Sequence, residues 1–216
     1  MQKYYYKTIS QHTRHELPKI KWSRFIGNIF HITDKKQAED YIAQVQKQHH
    51  TANHNCFAYT YWTNINFDLF GTMEITADYF RQSDDGEPTN TAWKPILAQI
   101  QWHDLHNVLI IVTRYFGWTL LWVWWLIQAY WECAKQTIIT AQNQNNLIQV
   151  ELTQNYTINV NYSQISNIMQ LLNKYNTKIV SQKDWKTAQI TFKINKWYIA
   201  EFKKEIIKKT NWQVSI

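Results

Sequence analysis

Asn107-Val108-Leu109-Ile110-Ile111-Val112-Thr113 is the stretch whose reading sets the fold. It is short, apolar and rich in β-branched residues, which is the pattern of a central, buried strand. After it, Leu126 to Thr137 reads as a helix packed against that strand. Before it, Ile96 to Ile100 continues a short helix that begins near Thr91. Further out, Asn55 to Tyr61 and Leu69 to Ile75 read as strands. Gln37 to Gln48 reads as a helix, with Asp34 as its N-cap and Ala38, Tyr41, Ile42 and Val45 as its apolar stripe. Strands and helices thus mix along the chain, and the class expected is α+β, with a βαβ-type first part.

The C-terminal part follows a plan of its own. Tyr156 to Val160 alternates as a strand does, and Ser163 to Tyr175 is helical with Ile165, Ile168, Met169 and Leu172 on one face. Lys178 to Gln182 and Ala188 to Ile194 read as a hairpin around Lys183-Asp184-Trp185-Lys186. Ile199 to Lys209 is a second helix, and Gln213 to Ile216 a last strand. The order βαββαβ predicts a ferredoxin-like domain.

Charge divides the chain in the same place. Residues 1–140 hold 13 Lys+Arg against 12 Asp+Glu, and residues 141–216 hold 10 against 4. The net charge therefore moves from +1 to +6, which suggests two domains with different roles. The polar run Thr140 to Asn146 has little to bury and marks the join, predicting domains at 1–142 and 147–216. A length of 216 residues is room for one large domain or two small ones, and 45% hydrophobic content excludes disorder as the main state. The two cysteines build no disulfide framework, and the start MQKYYYKTIS lacks the apolar core of a secretory signal. The expectation is a cytoplasmic protein.

Three segments could carry chemistry. In His54-Asn55-Cys56, His and Cys two apart could be base and nucleophile or metal ligands, or Cys56 could be a small buried hydrophobe at a strand start. No second pair with ligand spacing exists, so no metal site is predicted. In Ser83-Asp84-Asp85-Gly86-Glu87-Pro88-Thr89, Asp84, Asp85 and Glu87 could hold Mg²⁺ or act as acid and base, or could form an acidic turn that favours a helix N-terminus. The third runs from Thr113 to Leu126 and is apolar and aromatic. It is unlike a membrane span, because Arg114 interrupts it and Trp fills its middle rather than its ends.

Together these segments resemble the YigZ/IMPACT family. The chain has HNCFAY at 54–59, SDDGEP at 83–88, TA at 91–92, KPIL at 94–97, VTRYFG at 112–117 and LIQAY at 126–130. The family pattern is SDDGEPxGTAGxPIL and VTRYFGGxxLGxGGLxxAY. The resemblance is close over roughly residues 20–140 and extends to the rest by plan. Most of the departures share one form: Trp93, Trp118, Trp122, Trp124 and Trp125 stand where the family has Gly. The chain has 4 Gly, about 2% where about 7% is usual, and 12 Trp. Asp184-Trp185 would also read better as Asp-Gly, the type I′ hairpin turn. Trp102 falls in the polar loop expected before the 107–113 strand, and Asn211-Trp212 precedes the last strand. Such a pattern results when UGA codons, read as glycine in some bacterial lineages, are rendered as tryptophan. The alternative is genuine tryptophan. With glycine restored, residues 117–125 become GGTLLGVGG running into a helix at Leu126. Its backbone N–H groups, with Arg114, would form an anion site.

The resemblance implies an N-terminal domain similar to a module of ribosomal proteins and elongation factor G, and a ferredoxin-like C-terminal domain. It implies a non-catalytic, translation-associated regulator that binds RNA, the ribosome or a translation-regulating protein, with no cofactor and no membrane. The anion- or nucleic-acid-binding candidates are Lys94, Arg114, Gly117, Lys203, Lys204, Lys208 and Lys209. The alternative is an enzyme acting on a phosphorylated or nucleotide substrate. It would use Arg114 and the 117–125 loop for phosphate, with His54, Asp84, Asp85 and Glu87 as the catalytic candidates. A peptidase label carried by some members finds no nucleophile or metal set here.

Overall fold

The computed structural model describes residues 5–62, 65–67, 73–75, 78–184 and 188–210. The elements are β1 (Tyr5–Ile9), β2 (Thr13–Glu16), β3 (Arg24–His31), α1 (Lys35–Gln48), β4 (His54–Trp62), β5 (Ile65–Phe67), β6 (Met73–Ile75), β7 (Asp78–Ser83), α2 (Trp93–Trp102), β8 (Val108–Tyr115), α3 (Val123–Asn143), β9 (Leu147–Glu151), β10 (Thr153–Val160), α4 (Ile165–Lys174), β11 (Lys178–Asp184), β12 (Ala188–Asn195) and α5 (Ile199–Thr210). The chain is a mixed α+β protein. It divides into two compact units, residues 6–150 and residues 151–216 with the first five.

In the larger unit the strand of 107–113 is central. The sheet runs β2-β3-β8-β4-β7, and every neighbouring pair is antiparallel. β3 and β4 flank β8 and run parallel to each other across α1. β7 and β8 likewise flank β4 across α2. Each βαβ unit is thus split by a strand inserted between its two parallel members. This explains how β8 can be buried on both faces of an antiparallel sheet. Val108, Ile110 and Val112 pack with Phe25, Cys56, Ala58, Ile96, Leu126 and Tyr130. Leu109 and Ile111 pack on the other face, with Phe30, Tyr59, Ala38 and Val45. Full burial of each such aliphatic side chain is worth about 1.5–3 kcal/mol.

Local rules account for α1. The Asp34 carboxylate accepts from the Gln37 N–H at 2.8 Å, as an N-cap should. Other expectations shift. Trp102 is not in a loop but is the last residue of α2, and α3 begins at Val123 rather than Leu126. Residues 123–125 are therefore its first turn. Of the strand expected at 69–75, residues 69–72 lie outside the described residues, and 73–75 form β6.

In the smaller unit the sheet order is β10-β12-β11, antiparallel throughout. This is again a split βαβ unit, with α4 crossing from β10 to β11 and β12 inserted between them. Ile158, Val160, Ile190, Phe192 and Ile194 form its core with Ile168, Leu172, Phe202 and Ile206 of the helices. The β11–β12 register departs from the expected turn. A two-residue turn at Asp184-Trp185 would pair Lys183 with Lys186, but Lys183 pairs with Gln189 and Asp184 with Ala188. Three residues, 185–187, separate the strands and lie outside the described residues. The strand expected at 213–216 lies there too.

Candidate functional site

Period-two alternation brings the sequence motifs together. β4 and β8 are antiparallel with His54 opposite Arg114 and Cys56 opposite Val112. Arg114 continues the face of Val108, Ile110 and Val112, so its guanidinium points under α3 and is 3% exposed. Its Nη1 donates to Glu87 Oε1 at 2.5 Å. The Tyr130 hydroxyl of α3 donates to the same oxygen at 2.9 Å, and the Cys56 thiol lies 3.3 Å from that hydroxyl. Phe25 and Phe116 lie against the guanidinium, 5.5 and 4.7 Å from ring centre to its carbon. Arg114 Nε has no hydrogen-bond partner among the described residues. Burial pushes the Cys56 thiol and the Tyr130 hydroxyl well above their usual ranges. Cys56 is therefore held as a neutral thiol, the opposite of what a nucleophile needs.

The acidic turn is equally committed. Asp84 Oδ1 accepts from the Ala92 and Trp93 N–H groups, both at 3.0 Å, and Oδ2 from the Asn90 N–H at 2.7 Å. It caps α2 from nine residues upstream. Asp85 Oδ2 accepts from the Asn55 N–H at 2.6 Å, joining the turn to β4. Gly86 sits at φ +88°, where a side chain is strained. His54 Nδ1 donates to the Asp85 carbonyl at 2.7 Å, which leaves Nε2 toward Glu87 at 3.9 Å. His54, Asp85, Glu87 and Arg114 thus meet in one place. Among the described residues, no group of three or more His, Cys, Asp or Glu is arranged to hold a metal ion. Tyr130 was absent from the expected set, although it ends the quoted run LIQAY. Asn55 was also absent; its Oδ1 accepts from the Thr113 hydroxyl at 2.8 Å.

The expected anion site is not assembled as envisaged. Arg114 faces inward to Glu87 and not the 117–125 loop. The Gly117 N–H donates to Ser23 Oγ at 3.1 Å, and the Phe116 N–H to Asn53 Oδ1 at 2.7 Å. A Cβ on Gly117 would run into the Lys21 carbonyl oxygen, so this glycine serves close backbone approach. Trp118 and Trp122 are 91% and 78% exposed. Among the described residues no tryptophan is buried, and Trp22 sits at φ +68°, a conformation that favours glycine. No helix among the described residues is long and apolar enough to cross a membrane.

The basic candidates lie elsewhere. Lys94 is exposed at the start of α2. On α5, Lys204, Lys208 and Lys209 are exposed, and Lys203 is partly buried with its ammonium 5.2 Å from the Tyr156 ring centre. Glu205 on the same helix pairs with Lys174 at 2.5 Å.

A split-βαβ α+β unit whose strands meet over a buried Arg–Glu–Tyr cluster, joined to a small basic unit, defines the class. The Impact N-terminal domain matches residues 21–138, and the chain belongs to the IMPACT family. It is 28% identical over 197 residues to an IMPACT family member of Haemophilus influenzae, covering 91% of this chain and 89% of that protein. It is 30% identical over 164 residues to the IMPACT family member YigZ of Escherichia coli, covering 75% and 72%. A solved structure described as that of a hypothetical protein shares the fold with a TM-score of 0.66 and 24% identity, over 99% of this chain and 96% of that one.

Proposed function

We propose that the protein is a non-catalytic, translation-associated regulator that binds RNA, directly or on the ribosome, through its C-terminal unit. The observation that carries this reading is the charge division: residues 151–216 hold 10 Lys against 4 Asp+Glu. Their lysines, on α5 and on the sheet, are largely exposed. Exposed lysines contact phosphates without reading sequence. The family's association with translational control agrees with it. The N-terminal cluster supports the non-catalytic part. Its carboxylates are engaged in capping α2, in fixing β4 and in neutralising Arg114, and its thiol is neutral. Co-sedimentation with ribosomes over a salt series tests the proposal. Binding at low salt that falls as salt rises is expected, and no binding at low salt would overturn it.

A second reading, an enzyme acting on a phosphorylated substrate, draws on the convergence of His54, Asp85, Glu87 and Arg114. His54 Nε2, with Nδ1 anchored, could serve as its base. That reading requires a bound phosphate to displace Glu87 from Arg114. Inorganic phosphate or a nucleotide protecting the chain against thermal unfolding would favour it.

A further inference from the structure

We infer that the uncovered face of the β10-β12-β11 sheet, more than helix α5, is the surface that receives the phosphate backbone of an RNA. This rests on the RNA-binding reading and assigns its contact surface.

One face of this sheet is closed by α4 and α5 over Ile158, Ile190, Phe192 and Ile194. On the other face the register sets Lys178 directly opposite Lys193, with Lys183 two rows away opposite Gln189. All three lysines are exposed, and none makes an ion pair among the described residues. Like charges directly opposite across strands destabilise a sheet. No acidic side chain described on this face offsets them. Helix α5 differs, because Glu201 and Glu205 are interleaved with its lysines.

On β10 and β12 the other residues of the face, Asn155, Thr157, Asn159, Gln189 and Thr191, are polar and uncharged. Thr157 and Thr191 hydroxyls meet at 2.9 Å, and Gln189 Nε2 donates to Asn159 Oδ1 at 3.3 Å. Such groups can exchange these bonds for phosphate oxygens and ribose hydroxyls. No aromatic ring is described on this face, so the described side chains offer contacts to the backbone rather than stacking for the bases. The chemistry fits the backbone of an RNA, held without regard to sequence.

The test is anisotropy of a fluorescein-labelled oligouridine titrated with the full chain across a potassium chloride series. The variant K178Q/K183Q/K193Q is compared with K35Q/K36Q/K47Q, which removes the same charge from α1. Unchanged thermal melting shows that each is folded. The sheet variant should lose about tenfold in affinity at low salt, and its log–log salt slope should shrink by about 2, or 0.7 per lost contact. The α1 variant should bind within about twofold of the parent. Equal losses in the two variants, or none in the sheet variant, would overturn the assignment while leaving RNA binding intact. A parent chain that binds no oligouridine at low salt would remove both the assignment and the reading beneath it.

Discussion

The molecule sets charge in two contrasting ways. Beneath β4 and β8, Arg114 is 3% exposed, paired with Glu87 and supported by Tyr130. On the sheet of residues 153–195, Lys178, Lys183 and Lys193 stand in solvent without ion-pair partners among the described residues. A buried pair is costly to break because the surviving charge has no water to return to. An exposed lysine is cheap to remove and available to a ligand. The family's most specific motifs therefore lie in a buried network, and the proposed binding surface lies where the sequence is plain.

Substitutions can break this contrast. Glu87→Ala should have the largest effect, costing about 3–5 kcal/mol in urea unfolding, because it leaves Arg114 buried and unpaired. A cost below about 1 kcal/mol would mean that Glu87 does not compensate a buried Arg114 charge. Asp84→Ala removes the acceptor for three N–H groups at the head of α2 and should cost about 1–2 kcal/mol by the same measurement. Smaller still is a pH effect in the same unit. Burial holds the His31 imidazole below its ordinary value of 6.5, so the unfolded chain binds more protons. The stability this contributes is complete above pH 6.5 and declines as pH falls through that value toward the lowered one. His31→Asn should flatten the acid side of the profile of urea midpoint against pH.

Much of this was legible in residues. The run 107–113 implied a strand with core on each side, and Asp34 implied the start of α1. Alternation from Val108 through Ile110 and Val112 also implied that Arg114 points inward. The motif reading did not draw on that alternation, because a basic residue before a glycine-rich loop suggests phosphate. Asp84 escaped local capping rules, since its N–H partners lie six to nine residues on. Tyr130 escaped because its role depends on α3 crossing the sheet at Cys56. The hairpin register escaped because an Asp-Gly reading of 184–185 implies two turn residues where the strands leave three.

The tryptophans bear on that same loop. Trp22 lies at φ +68°, and Trp118, Trp122, Trp124 and Trp125 are exposed. Peptide mass spectrometry of the protein from its native host, over residues 114–135, should find glycine at 118, 122, 124, 125 and 131. Tryptophan there would mean that this chain has lost the family's loop.

The most direct test of the contrast is ultraviolet cross-linking of the full chain to oligouridine, with the attachment sites read by mass spectrometry. Adducts concentrated in residues 151–216, and foremost in residues 153–195, are the predicted result. Adducts concentrated at residues 54–57, 83–88 and 114–130 would contradict it and return the function to the buried cluster.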